Sequence, residues 1–335
     1  MERKLKVGIV GCGGHMFEFL YNALKWAPPV DVVSVCDIDT AKLDRFTSFY
    51  NIPKRYTDYK EMFEREGLDA AICVVNESTH YEVAKAAMKA GTNIFVEKTP
   101  TATTAQAEEL TRIQRDTGKV TMVGFNRRYM TSYLLAREIT QRPEFGSIHL
   151  YQSQFHASPY RSEAYFKINH IIHHLDLARF LMGEIHLTHV ERKALDDRMV
   201  AFAISFKSEN GAIGTIHSAS LLDELYPMER LELLGSRRNI VVDNAKGIVY
   251  NRPPGERKEL YKPYRLVEGG DALEWNPSHG TYPRYSHHGY ENEIHHFISS
   301  VESGKRPEPT IEDSVKTMRL LDELEGLLAG ASMHP

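Results

Sequence analysis

Between residues 5 and 124 the chain alternates short, continuous apolar runs with longer stretches in which apolar residues recur at helical spacing. Val7–Val10, Val32–Cys36, Ala70–Val75, Asn93–Val96 and Val120–Gly124 read as buried strands. Phe17–Trp26, Ala41–Tyr50, Tyr81–Ala90 and Thr104–Thr117 read as helices, and Gly91 and Gly118 stop two of them where a left-handed residue is wanted. Strand–helix–strand repetition of this kind predicts a doubly wound parallel sheet. After Gly124 the texture changes. Ser147–Phe155, Met199–Phe206, Ala212–Ser218, Arg230–Leu234 and Asn239–Asp243 alternate apolar with polar residues, as strands do when their two faces meet different surroundings. This predicts a second, α+β domain with a largely antiparallel sheet and helices on one side. Residues 251–284 are rich in Pro, Gly and Tyr without periodicity and read as a long loop. Helices near His287–Val301 and Ile311–Leu328 close the chain.

The length of 335 residues agrees with two domains at roughly 100–200 residues each, and the change in texture puts the boundary at 124/125. A net charge of -4 gives no electrostatic reason to expect nucleic acid or an anionic membrane, so the expected partner is a small molecule. The charged Met1–Lys6 leads into an apolar stretch too short for a signal-peptide core or a membrane span, and the expected location is the cytoplasm. Cys12, Cys36 and Cys73 show neither CxxC spacing nor a disulfide framework and read as small core residues.

The first strand breaks into Gly11-Cys12-Gly13-Gly14-His15-Met16 and then opens a helix. In such a turn Gly11 permits the tight bend, Gly13 lets the backbone approach a diphosphate, and the helix N–H groups face its charge, as in a Rossmann domain. The third glycine of the usual fingerprint is Met16 here, which predicts looser helix–strand packing. The second strand ends in Asp37, about two dozen residues after the glycines, where a carboxylate accepts from the adenosine ribose hydroxyls. Asp37 and Asp39 together disfavour a 2′-phosphate, so NAD is expected rather than NADP. At the C-terminal end of a later parallel strand stands Glu97-Lys98-Thr99, on the edge where open α/β sheets bind ligands. A lysine there can donate to a substrate hydroxyl and help to remove its proton.

The glycine turn, Asp37, the Glu97-Lys98 step, Asn76–His80 and Gly124–Tyr129 together resemble the Gfo/Idh/MocA oxidoreductases, over nearly the whole chain. The family's Glu-Lys-Pro motif appears with Thr99 in place of proline. The resemblance implies a Rossmann domain followed by a large, mainly antiparallel open sheet. It also implies cofactor contacts from Gly11, Gly13, Gly14, His15, Met16, Asp37, Ile38, Asn76, His80, Glu97 and Lys98. Matching the family's helix in the second domain makes His173 the catalytic histidine beside Lys98, and puts Asn169 where the family has aspartate. A spacing of four places Asn169 and His173 on one face of a helix, with Asp176 a turn further along.

Asparagine can bond a hydroxyl or orient the ring without stabilising an imidazolium by charge, so more of the catalysis rests on Lys98 or on help from Asp176. Arg127, with Arg128, reads either as a binder of a substrate carboxylate or phosphate or as an interdomain ion pair. Tyr160 lies in a candidate substrate loop. His170, His173, His174 and Asp176 do not have the spacing of a zinc site, and no metal is expected.

The leading expectation is therefore an NAD-dependent enzyme that oxidises a secondary alcohol of a sugar, sugar derivative or cyclitol, or reduces the matching ketone. A glycoside-cleaving enzyme that oxidises its sugar transiently is one alternative, and a weakly catalytic dinucleotide or sugar sensor is another. The family and an uncovered sheet face imply a homodimer or homotetramer.

Overall fold

A computed structural model describes residues 3–25, 27, 29–224, 227–253, 267–269, 272–275 and 288–331. The chain forms two compact units, Met1–Asn126 with Gly289–Met318 and Arg127–His288 with Arg319–Pro335.

In the first unit, strands β1 (Leu5–Val10), β2 (Val30–Cys36), β3 (Lys54–Tyr56), β4 (Ala70–Cys73), β5 (Asn93–Glu97) and β6 (Thr121–Gly124) form one sheet in the order β3-β2-β1-β4-β5-β6. Every pair in it is parallel. Every residue of β4 and β6 is buried, which is why these strands read as unbroken apolar runs. The crossover helices are α1 (Tyr21–Lys25), α2 (Thr40–Tyr50), α3 (Tyr59–Glu66), α4 (Glu77–Lys89) and α5 (Thr104–Thr117). Asp39, Asp58 and Thr103 cap α2, α3 and α5 by accepting backbone N–H bonds, and Asn51, Gly67 and Gly118 end them in the left-handed conformation. The strand order reverses between β1 and β4, so the carboxyl end of β1 is the topological switch point where such sheets bind ligands.

Two elements of this unit are absent from the sequence reading. β3 is three residues long and exposes Lys54 and Arg55, while α3 buries little beyond Met62 and Phe63. Neither offers an apolar run to read. The helix after the glycines is also unusual: it is π-wound over Met16–Leu20 before α1 begins, and Met16 is fully buried. The wider turn holds a bulky side chain where a glycine would normally sit against the strand. α9 (Tyr290–Ser303) and the first part of α10 (Ile311–Ala331) belong to this unit too. Phe297 packs against Phe95 at 5.8 Å between ring centroids, and Val315 and Met318 join Ala107 in the core.

In the second unit, helices α6 (Thr131–Thr140), α7 (Glu163–Phe166) and α8 (Ile172–Met182) accompany a sheet of nine strands. These are β7 (Leu150–His156), β8 (Ile185–Ala194), β9 (Val200–Ser208), β10 (Ile213–Ala219), β11 (Met228–Gly235), β12 (Arg238–Asp243), β13 (Gly247–Asn251), β14 (Val267–Gly269) and β15 (Ala272–Trp275). Their order is β14-β15-β13-β12-β11-β7-β10-β9-β8, and among the described pairs only β7 with β10 is parallel. The alternation is explicit in β9, which buries Val200, Phe202, Ile204 and Phe206 and leaves Ala201, Ala203 and Ser205 half-exposed.

The sequence reading missed β8, because of its ten residues only Ile185 and Val190 are buried. Part of the stretch read as a loop is instead the β14–β15 hairpin, while residues 254–266, 270–271 and 276–284 lie outside the described residues. The last-but-one helix starts at Tyr290, and His287 is likewise outside the described residues.

Candidate functional site

At the end of β1 the backbone turns through Gly11 at φ +99°, and a Cβ there would lie 2.0 Å from the Val74 carbonyl oxygen, so only glycine fits. A Cβ on Gly13 would meet no atom within 4 Å, and one on Gly14 only Glu18 Oε1 at 4.0 Å. The space over the turn is therefore open, at the start of a helix whose first N–H groups have no intrahelical partners and could receive an anion. Asp37 is tied to this turn: Oδ2 accepts from the Cys12 N–H at 2.7 Å and Oδ1 from the Asp39 N–H at 2.9 Å. Ile38, the next residue, is 90% exposed. An open glycine turn, an anchored carboxylate beside it and a bare apolar side chain fit the diphosphate, ribose and adenine of a dinucleotide. The neighbouring cysteines are inert by contrast, since burial pushes the thiols of Cys12 and Cys36 up to about 12.

Glu97 and Lys98 lie at the carboxyl end of β5. The Glu97 carboxylate is buried over Gly124, where a Cβ would stand 3.0 Å from Glu97 Cδ. Its Oε1 accepts from His15 Nε2 at 3.2 Å and its Oε2 from the Lys98 N–H at 3.2 Å. Burial alone would raise the carboxyl pKa, but the hydrogen bond from His15 and the nearby charge of Lys98 outweigh it and hold Glu97 below the usual range. Lys98 is half-buried, the Lys98–Thr99 peptide is cis, and the Thr99 carbonyl accepts from His80 Nδ1 at 2.6 Å. That bond fixes His80 as the Nδ1–H tautomer, and burial lowers its pKa. Asn76 is the exposed N-cap of α4, one turn before His80. The structure thus links the glycine turn, Glu97, Lys98 and His80 into one constellation.

In the second unit His173 is buried on α8, whose other side chains from Ile172 to Arg179 are buried as well. Asn169 lies in the preceding segment, Lys167–Ile171, which is π-wound. Bonds there run from i to i+5, so the register from Asn169 to His173 is not that of the continuous α-helix the four-residue spacing assumes. Tyr160 hydrogen-bonds His170 Nδ1 at 3.0 Å. His170 Nε2 faces the Phe155 carbonyl at 3.0 Å, and its ring stacks on Phe155 and Phe166. A carbonyl only accepts, so His170 is the neutral Nε2–H tautomer and Tyr160 donates to Nδ1; burial keeps its pKa well below the ordinary value.

Arg127 makes two bonds to Glu229, at 3.0 and 2.9 Å, and stacks on Phe155. Tyr133 donates to Glu229 Oε1 at 2.5 Å, and His174 lies 3.5 Å from the same oxygen while bonding Ser153 Oγ at 2.9 Å. Arg128 makes the equivalent fork to Asp176, at 2.7 and 2.6 Å. Both arginines therefore hold buried carboxylates within the second unit, and Asp176 is engaged by Arg128. The sequence reading missed Glu229, although a signal existed: in Met228-Glu229-Arg230-Leu231-Glu232-Leu233 it shares the inward parity of Leu231 and Leu233. A carboxylate at an inward strand position implies a buried cation opposite it. Among the described residues no group of three or more His, Cys, Asp or Glu side chains could hold a metal, and no helix is long and apolar enough to cross a membrane.

Comparison with known proteins agrees with this architecture. Residues 5–125 match the model of an oxidoreductase family with an NAD-binding Rossmann fold, and residues 138–324 match that family's C-terminal α/β domain. The myo-inositol 2-dehydrogenase of Thermotoga maritima is 23% identical over 332 residues, covering 94% of each chain. A dehydrogenase from Chromobacterium violaceum superposes with a TM-score of 0.86 at 24% identity, covering 100% of both chains. A levoglucosan dehydrogenase in complex with NADH and levoglucosan superposes with a TM-score of 0.82 at 17% identity, covering 98% of both. With both of its domains matched in order, a glycine turn shaped for the dinucleotide and a Glu-Lys step at the sheet edge, the chain belongs to the Gfo/Idh/MocA family of NAD-binding oxidoreductases.

Proposed function

We propose that the protein is an NAD-dependent dehydrogenase of a sugar, sugar derivative or cyclitol, acting on a secondary alcohol or the matching ketone. Bound NAD supplies a nicotinamide that takes up or returns the hydride. The observation that carries the reading is the join between the glycine turn and the Glu97-Lys98 step through His15, which ties the residue preceding Lys98 to the cofactor's own binding turn. In this reading Lys98 donates to the substrate oxygen and holds it, and His173 accepts the hydroxyl proton. A half-buried lysine next to an ionised carboxylate suits the first task, and an imidazole ring nitrogen able to accept a proton suits the second.

Asn169 and Tyr160 bond substrate hydroxyls, and Asn76 and His80 line the cofactor. Arg127 acts on the substrate indirectly, because its guanidinium is already forked onto Glu229. The names of the inositol and levoglucosan enzymes it resembles support the substrate class. The protein works in the cytoplasm as a homodimer or homotetramer, with the half-exposed sheet face covered by another copy.

Purified protein given NAD and a panel of inositols, aldoses and anhydrosugars is expected to generate reduced nicotinamide with at least one of them. No turnover in either direction with any polyol or keto-sugar would overturn the proposal. Asp37 sets the cofactor preference in the same scheme. Asp37→Asn is expected to weaken NAD about tenfold, the scale of one charge-assisted hydrogen bond, and to narrow the gap between NAD and NADP. Fluorescence titration with both reduced cofactors measures this, and an unchanged ratio would remove Asp37 from the ribose site.

A further inference from the structure

We infer that NAD binding is coupled to uptake of a proton by His15, the residue that joins the diphosphate-binding turn to the Glu97-Lys98 step. His15 follows Gly13 and Gly14 directly, where the open turn receives the cofactor's anionic diphosphate. Its Nε2 meets Glu97 Oε1 at 3.2 Å, and an ionised carboxylate can only accept, so Nε2 carries a hydrogen and Nδ1 is the atom left to gain one. The side chain is 38% exposed, and its ring is held against Phe19 and Tyr290 at 5.5 and 5.2 Å between centroids.

The charged and titratable groups around it come, among the described residues, from three elements. From β5 come Glu97 and, just beyond it, Lys98; from the residue's own segment, Glu18; from α9, Tyr290 and, one turn on, the buried Glu293; and His80 on α4 acts on Glu97. Before NAD binds, the anion that His15 hydrogen-bonds is Glu97. The diphosphate brings further negative charge to the adjoining turn, so the imidazole then stands between anions on two sides, a setting that favours the imidazolium. The proton comes from solvent and stays on Nδ1, and no covalent bond is made or broken. Because Glu97 also accepts from the Lys98 N–H, the same proton compensates the carboxylate that neighbours Lys98, and cofactor occupancy becomes legible to the step that contacts substrate.

The sign follows from linkage: a complex that binds more protons than the free protein weakens as pH rises, by up to tenfold per pH unit for one whole proton. Calorimetric titration of the full-length protein with NAD at about pH 7.5, in phosphate and in Tris, reads the proton directly from the difference in heat. Net proton uptake on NAD binding is expected for the wild type, falling to near zero in His15→Gln and diminished in Glu97→Gln. Over pH 6.5–8.5 the dissociation constant for NAD should rise severalfold in the wild type and stay flat in His15→Gln. Buffer-independent heat in the wild type would overturn the inference even if neither variant folded, and so would equal uptake in His15→Gln. Absence of any NAD binding would instead overturn the cofactor site beneath it, a result distinguishable from binding without uptake.

Discussion

Lys98→Ala is expected to lower kcat for the best polyol by about three orders of magnitude while NAD affinity stays within a few-fold. General acid–base assistance by one positioned side chain is worth roughly 10²–10⁴ in rate, and in the proposed reaction Lys98 would combine that role with holding the substrate oxygen. Its place in the structure is what makes the number large. It stands at the carboxyl end of β5, is half-buried, and follows a carboxylate that the His15 bond keeps ionised. Lys98→Arg should recover little, because a guanidinium keeps its proton throughout the accessible pH range and presents a planar fork in place of a compact ammonium. Steady-state rates over a pH series test this. In the wild type the profile should carry a limb that vanishes in both variants, whereas a merely structural lysine would lower the curve without changing its shape. A kcat within tenfold of wild type in Lys98→Ala would remove the residue from the chemistry.

How much of this was legible in advance depends on how far apart the interacting residues are. Ala70–Cys73 is buried on both faces, so its hydrophobicity is continuous and the strand is readable from four residues. Gly11 is readable because the turn's demand for positive φ falls on one residue. By contrast, His15 and Glu97 are 82 positions apart, and nothing local to either one names the other. Their meeting follows from the sheet order, which brings the carboxyl ends of β1 and β5 to the same edge across β4. The two π-wound turns, Met16–Leu20 and Lys167–Ile171, were illegible for another reason: a π turn keeps the composition of a helix and alters only its register. That is why the spacing of Asn169 and His173 read as a shared face. The return of α9 to the first unit was also hidden, since an amphipathic helix shows that it has a buried face without showing which sheet will cover it. Arg127 was legible as an anion binder, and the structure gives the anion as Glu229, on a strand 102 positions away.

That pair supports the largest stability effect expected of a single substitution here, a loss of about 3–5 kcal/mol in Glu229→Gln, the range measured when one partner of a buried ion pair is removed. Three consequences act together. The Arg127 guanidinium is left buried without the Glu229 carboxylate, Tyr133 keeps a weaker acceptor, and His174 loses the anion 3.5 Å from its Nε2. Because Arg127 stacks on Phe155 and His174 sits on α8, the damage spreads from β11 to β7 and to the helix that carries His173. Arg127→Met combined with Glu229→Leu should recover part of the loss, since apolar replacement of both partners removes the buried charge.

Acid sensitivity checks the same assignment independently. Burial would raise the Glu229 carboxyl, but Arg127 and His174 hold it far below the carboxylate range, so its contribution is complete above the unfolded value of about 4.3 and fades as pH falls below that. Burial lowers the pKa of His170 and His174, which remain neutral in the fold while the unfolded chain takes up protons. Their share is therefore complete above about pH 6.5 and declines on acidification from there. Urea unfolding of the wild type should accordingly show stability falling in two stages, first below about pH 6.5 and again below about 4.3. Glu229→Gln should start lower and show a smaller second stage, the remainder belonging to other depressed carboxylates such as Glu97. If the variant kept both stages undiminished and wild-type stability, the Arg127–Glu229 pair would not be the buried ion pair on which the expected loss rests.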